Sequence, residues 1–330
     1  MFATIINKAI VQSIPLLFGA TGEIITEKSG NLNLGIPGIM YVGGNMGIMG
    51  AYIYERICIK ASIVPNAALC IIIPLICSLL GSALCALIYS FLTITLRANQ
   101  NVTGLALTTF GVGFGDYFGG SLTNIFGDGG NISVMTTAGY FKKTLPFAGA
   151  LGKVGEIFFN YGFLVYLAII IAVLASLFLN KTRAGLCLRA VGENPATADA
   201  AGISVTKYKY LATVIGGAIA GLGGLYFIMD YTGGSWTNGG FGDRGWLAVA
   251  LVIFAVWKPL MGILGSFIFG GLYIATSYIP GVSGNPSAVA IFDMLPYLVT
   301  IIVLIITSIR DKKENHPPQS LGLPYFREER

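Results

Sequence analysis

The sequence predicts an all-α, polytopic integral membrane protein with about 8–9 transmembrane helices, some of them discontinuous. Three observations predict it. Of the 330 residues, 55% are hydrophobic and only 11% are charged, whereas an ordinary soluble domain is about 25% charged. Several stretches hold roughly 20 apolar residues, enough to cross a hydrocarbon layer of about 30 Å at 1.5 Å per helical residue. The 45 glycines suit helices that pack closely in a bilayer and helices that break beside a pathway.

Apolar helices read, in order, at roughly 3–21, 33–54, 64–96, 101–118, 161–180, 208–229, 245–257, 259–279 and 291–309, with ends uncertain by about 2–4 residues. The first two are either separate crossings or halves of one helix broken at the polar stretch TEKSGNLN, giving nine crossings with an external N-terminus or eight with a cytoplasmic one. A break at the midplane would set Glu23, Glu27 and Lys28 in hydrocarbon, at about 2.5–3.5 kcal/mol each. The 64–96 stretch is long for one crossing and short for two, so a tilted, projecting helix is expected. The 101–118 and 245–257 stretches are short, and Gly-containing or flanked by Pro259, the pattern of discontinuous helices. Gly43 and Gly47, Gly111 and Gly115, and Gly217 and Gly221 have the four-residue spacing of close helix contacts.

Orientation follows from basic residues in short loops. Lys181, Arg183, Arg189, Lys207 and Lys209 mark the 181–209 loop as cytoplasmic, and Arg310, Lys312 and Lys313 do the same for the C-terminal tail. The 119–160 loop is then external despite Lys142, Lys143 and Lys153, since long loops escape the rule. The expected organisation is a transmembrane domain over 1–310 in the cell membrane and a polar cytoplasmic tail over 311–330. The N-terminus, MFATIINK, lacks a basic region followed by a small-residue cleavage site, so no removable signal peptide is expected.

Composition also argues against several chemistries. The single histidine, His316, stands in the polar tail, and the five cysteines lack metal-site spacing. No catalytic residues, no metal and no cofactor are therefore expected. The pair Gly152-Lys153 is followed by Val154 and lacks the earlier glycine of a phosphate-binding loop. The net charge of +5 speaks for membrane orientation and not for nucleic-acid binding. Intramembrane acids Glu23, Glu27, Asp116 and Asp293 keep an ion-coupled carrier or channel open as the alternative reading.

The loop KTRAGLCLRAVGENPATADAAGISVTKYK is too long for a simple connector. Pro195 can open a short helix after Gly192, Glu193 and Asn194, with Gly202 as its stop and Ala198, Ala201 and Gly202 as a small face suited to a partner's groove. The run Arg189-Ala190-Val191-Gly192-Glu193-Asn194-Pro195, continued by Ala198-Asp199-Ala200-Ala201-Gly202-Ile203, resembles the cytoplasmic coupling loop of ABC importer permeases of the ribose and branched-chain amino acid type. Residues 22–35, 96–104 and 245–250, the last followed by Pro259, Leu260 and Gly262, are similar to further segments of that family in the expected order. The branch most resembled is the one assigned to nucleosides and simple sugars. Pro37 departs from it, because many relatives are acidic in that stretch.

The resemblance implies an ATP-driven importer of a small polar solute. Its implied partners are a separate ATP-binding cassette ATPase, an extracytoplasmic solute-binding protein and a second permease subunit, the same or homologous. The residues expected to meet the ATPase are Gly192, Glu193, Asn194, Pro195, Ala198, Ala201 and Gly202. For the solute pathway, amides and hydroxyls beside apolar helices can offer weak hydrogen bonds to a neutral solute. Asn31, Asn33, Asn45, Asn101 and Thr103, with Phe110 and Trp246 as ring contacts, are the pathway candidates; Thr108, Thr109 and Tyr226 belong to the same pool.

Overall fold

The computed structural model describes residues 2–125, 132–144, 152–278, 286–310 and 316–327. The tail residues Lys312 and Lys313 lie outside them. The described residues form thirteen α-helices and two short π-helical stretches, with only an isolated bridge between Ser133 and Ser235 as β-pairing. A bilayer demands this, because every backbone polar group inside it must be satisfied within the chain.

The N-terminal ambiguity resolves into two helices. α1 (Phe2–Glu27, 26 residues) and α2 (Ile36–Lys60, 25 residues) are each close to 40 Å long at about 1.5 Å per residue, so each is long enough to span a bilayer. Glu23 and Glu27 consequently lie in the last two turns of α1, near a bundle end and away from the midplane. α3 (Ala67–Ser90) runs on through the π-helical residues Phe91–Thr95, forming a single apolar helix of 29 residues, as the 64–96 stretch led one to expect. Asn66 caps it by accepting from the Ala68 N–H at 2.9 Å.

α4 (Gln100–Ile125) is a continuous helix of 26 residues, longer than the 101–118 read from sequence. Its extra turns, 119–125, begin with Gly119 and Gly120, and Asp116 within the stretch is accommodated because Tyr41 donates to its Oδ1 at 2.8 Å. Two short helices follow, α5 (Met135–Phe141) and α6 (Gly152–Phe158). Then come α7 (Phe163–Lys181), α8 (Arg183–Glu193), α9 (Pro195–Ala200) and α10 (Val205–Tyr226), the last extended by π-helical Phe227–Tyr231.

The discontinuity falls between α11 (Arg244–Phe254, 11 residues) and α12 (Pro259–Tyr278). Val256 and Trp257 there have φ of 52° and 53°, a conformation that is costly for a β-branched residue. Pro259 then opens α12, as its fixed φ favours. Buried Arg244 anchors the start of α11 by donating to the Phe241 carbonyl at 2.8 Å, with its guanidinium 4.5 Å from the Phe227 ring centre. α13 (Pro286–Arg310) closes the chain. Eight helices, α1, α2, α3, α4, α7, α10, α12 and α13, are each about 28 Å or longer at about 1.5 Å per residue, whereas α11, at 11 residues, covers only part of that length.

Glycine decides the closest packing. A Cβ on Gly22 would overlap the Gly216 carbonyl oxygen where α1 meets α10, and one on Gly43 would press on Gly221 where α2 meets α10. Gly111 meets Gly38 in the same way across α4 and α2. Each four-residue spacing noted in the sequence thus supplies at least one helix contact at backbone distance. α1 is buried along most of its length, whereas α13 and much of α3 turn large apolar side chains outward, as lipid-facing helices do.

Candidate functional site

The 181–209 loop folds into a helical elbow at one end of the bundle. Thr182 opens α8, its hydroxyl accepting from the Gly185 N–H at 3.0 Å. Asn194 both ends α8 and starts α9: its N–H donates to the Ala190 carbonyl, and its Oδ1 accepts from the Thr197 N–H, each at 3.0 Å. Pro195 takes the first position of α9, where no backbone donor is missed. Gly202 stops the helix with φ of 83°, the left-handed conformation for which glycine is suited.

Burial divides the seven residues proposed for a partner contact. Glu193, Asn194, Ala201 and Gly202 are exposed and Pro195 is half-buried. Gly192 and Ala198 are buried within the chain. Ala198 is drawn inward by Val191 and Val205, with Ile203 and Tyr325 alongside. Gly192 lies against the 28–35 turn, where a Cβ would overlap the Lys28 carbonyl oxygen.

The tail residues 316–327 strap this elbow down. Ser320 donates to the Gly192 carbonyl from its hydroxyl at 2.6 Å and from its N–H at 3.0 Å. Tyr325 donates to Asp199 Oδ2 at 2.9 Å, and Arg327 pairs with the same oxygen at 3.1 Å. The Gly322 N–H reaches the Gly30 carbonyl at 3.3 Å, and Phe326 stacks under the Arg97 guanidinium. Elbow, tail, the 28–35 turn and the 96–100 connection therefore occupy one end of the molecule.

The same end holds two fully buried carboxylates one turn apart, Glu23 and Glu27. Glu23 Oε1 accepts from the Asn33 N–H at 3.0 Å, and Glu27 accepts from the Trp257 indole. The second bond ties the strained 256–257 corner to the end of α1. Beside them burial lowers the pKa of Lys28, with Glu193 opposing the shift.

The pathway candidates separate likewise. Asn31, Asn33 and Asn45 are buried. Asn31 Nδ2 donates to Thr213 Oγ1 at 3.2 Å, Asn33 Oδ1 accepts from the Gly35 N–H at 2.9 Å, and Asn45 Nδ2 donates to the Gly115 carbonyl at 3.1 Å. One amide atom of each, Asn31 Oδ1, Asn33 Nδ2 and Asn45 Oδ1, is left without a partner. Asn101 and Phe110 are exposed on α4, whereas Thr103 and Trp246 are half-exposed. Phe110 begins an aromatic row with Phe114 and Phe118, at centroid spacings of 6.1 and 4.6 Å, and Tyr117 adds an edge. At the end of the bundle away from the elbow, Asn238 donates to the Asp116 carbonyl at 3.4 Å and accepts from the Trp236 indole at 2.7 Å, while the Gly239 N–H donates to Tyr41. Trp236, Asn238 and Trp257 carry no motif that would single them out, because their roles depend on partners far away in the chain.

Long apolar helices, a broken α11–α12 pair and a capped, strapped elbow at one end define a multi-pass membrane protein. The chain belongs to the family described as branched-chain amino acid transport system / permease component, whose model matches residues 5–304. It is 33% identical to a putative glucose ABC transporter permease protein of Haloferax volcanii, over 99% of this chain and 98% of that one. A nucleoside ABC transporter permease protein of Lactococcus lactis is 31% identical, over 91% and 90%. A guanosine ABC transporter permease protein of Bacillus subtilis is 28% identical, over 100% and 98%. No solved structure matches significantly.

Proposed function

We propose that this chain is the membrane-spanning subunit of an ATP-driven importer for a nucleoside or simple sugar, and that a separate ATP-binding cassette ATPase docks on the α8–α9 elbow. The observation that carries the reading is the elbow's construction. Side-chain caps and the 316–327 strap hold Ala201 and Gly202 exposed, while Gly192 fastens the same unit to the end of α1. A rigid elbow transmits a push from a closing partner to the helices, whereas a loose loop would absorb it. Its basic residues support a cytoplasmic position for this end and for the C-terminus. An extracytoplasmic solute-binding protein then meets the opposite end, and a second permease, the same or homologous, closes the exposed face of α4.

The substrate class follows from the relatives' named substrates and from the α4 face. Asn101 and Thr109 offer hydrogen bonds there, and Phe110 offers a ring face to a base or sugar. An ion-coupled carrier would use Glu23 and Glu27 as relays, but both accept hydrogen bonds from fixed donors, which favours a structural role.

A cysteine at exposed Thr197 tests the docking. An impermeant thiol reagent should label it from the cytoplasmic side only, and the ATPase subunit should protect it. Labelling from outside, or labelling unaffected by the ATPase, would overturn the proposal.

A further inference from the structure

α7 and α10 both pack on α1 but diverge from each other, leaving a groove of 1070 Å³ between them. Its floor is Ile25 and Ala175, and its walls include Leu174, Leu211 and Ile215, whose side chains are about half exposed. The mouth differs in chemistry from the walls. Arg183, the first residue of α8, and Lys207, in the first turn of α10, stand there exposed beside the Ser204 hydroxyl, and among the described residues no acidic side chain lines the groove. From Lys207 to Ile219 the wall runs about 18 Å at 1.5 Å per residue, close to half of a hydrocarbon layer of about 30 Å. The groove is thus one leaflet long, with both cations at one end.

We infer that this groove binds an anionic phospholipid, its phosphate held by Arg183 and Lys207 and one acyl chain lying along Leu174, Leu211 and Ile215. The wall length matches an acyl chain, and the two cations without a lining acid match an anionic headgroup. A zwitterionic lipid can fill the apolar walls but brings its own ammonium to the basic mouth. A protein helix would fill the walls while leaving both cations buried without a counter-charge, which is costly. Basic pockets between helices at the cytoplasmic surface are suited to such headgroups. The rim also includes Ala201, Gly202 and Ile203, so a bound headgroup lies next to the exposed end of the elbow. Binding itself does not depend on the coupling role proposed for that elbow.

The test uses the full chain with Leu211→Trp, a half-exposed groove position, in vesicles of phosphatidylcholine containing brominated phosphatidylglycerol or brominated phosphatidylcholine. Quenching of this tryptophan, taken as the difference from the unsubstituted protein, reports occupancy. Brominated phosphatidylglycerol should quench at a mole fraction about thirtyfold lower than brominated phosphatidylcholine, the ratio expected for two surface cations. Adding Arg183→Gln and Lys207→Gln should erase that preference while quenching at high lipid fraction persists. As a second measurement, native mass spectrometry of the unsubstituted protein should retain phosphatidylglycerol, and the double variant should lose it. Equal quenching by the two lipids, a preference that survives in the double variant, or no quenching because protein fills the groove would each overturn the proposal.

Discussion

Ala201→Trp separates docking from folding, because the structure puts Ala201 on the exposed side of the elbow and Ala198, three residues earlier, on the buried side. Ala201 is exposed, so an indole there can point into solvent and the isolated protein should unfold at its usual temperature. Against a fitted partner the same group overpacks the contact, at a typical cost of about 1–3 kcal/mol. With about 1.4 kcal/mol per factor of ten, the loss of ATPase association is roughly five- to hundredfold. The Ala198→Trp variant should behave oppositely, since the indole must enter the cluster of Val191, Val205 and Tyr325 and destabilise the elbow itself. The assay pairs a binding titration with the purified ATPase subunit and a thermal unfolding curve for each variant. Unchanged association for Ala201→Trp, with transport intact, would show that the elbow is only a connector.

Three further outcomes follow from particular contacts. Gly22→Val should lower thermal stability by about 1–3 kcal/mol or more, since its Cβ overlaps the Gly216 carbonyl, whereas Gly113→Ala, with nothing within 4 Å of its added Cβ, should be neutral in the same unfolding assay. Tyr325→Phe removes the bond to Asp199 and should loosen the strap by about 0.5–1.5 kcal/mol, read as faster amide exchange in α9; unchanged exchange would contradict the bracing role. Phe110→Ala or Asn101→Leu should lower uptake while assembly with the partner subunits stays normal, and unaffected uptake in both would remove the α4 face from the pathway.

Much of the fold was legible because hydrophobic runs and breakers are local signals. The α9 helix could be read from Pro195 and Gly202, and the α11–α12 break from Pro259. α4 runs past the 101–118 stretch because Gly119 and Gly120 resemble a stop in sequence, whereas in the fold Gly119 lies against the Trp236 ring, distant in the chain. α8 was overlooked although Thr182 is a capping residue, since its apolar positions are few. Burial of Ala198 and Gly192, the Trp257 bond to Glu27 and the 316–327 strap were invisible for one reason: each depends on a partner distant in sequence. Ser320 reaches Gly192 across 128 residues, and no periodicity records such a pairing.

The central claim is ATP-driven import, and reconstitution tests it most directly. The chain would be placed in vesicles with its ATPase and permease partners, the solute-binding protein added on the external side, and radiolabelled guanosine, glucose and leucine offered in turn. The account predicts accumulation of the nucleoside or the sugar that requires ATP on the elbow side and persists when ion gradients are collapsed. Uptake that proceeds without ATP and vanishes with the ion gradient would contradict it.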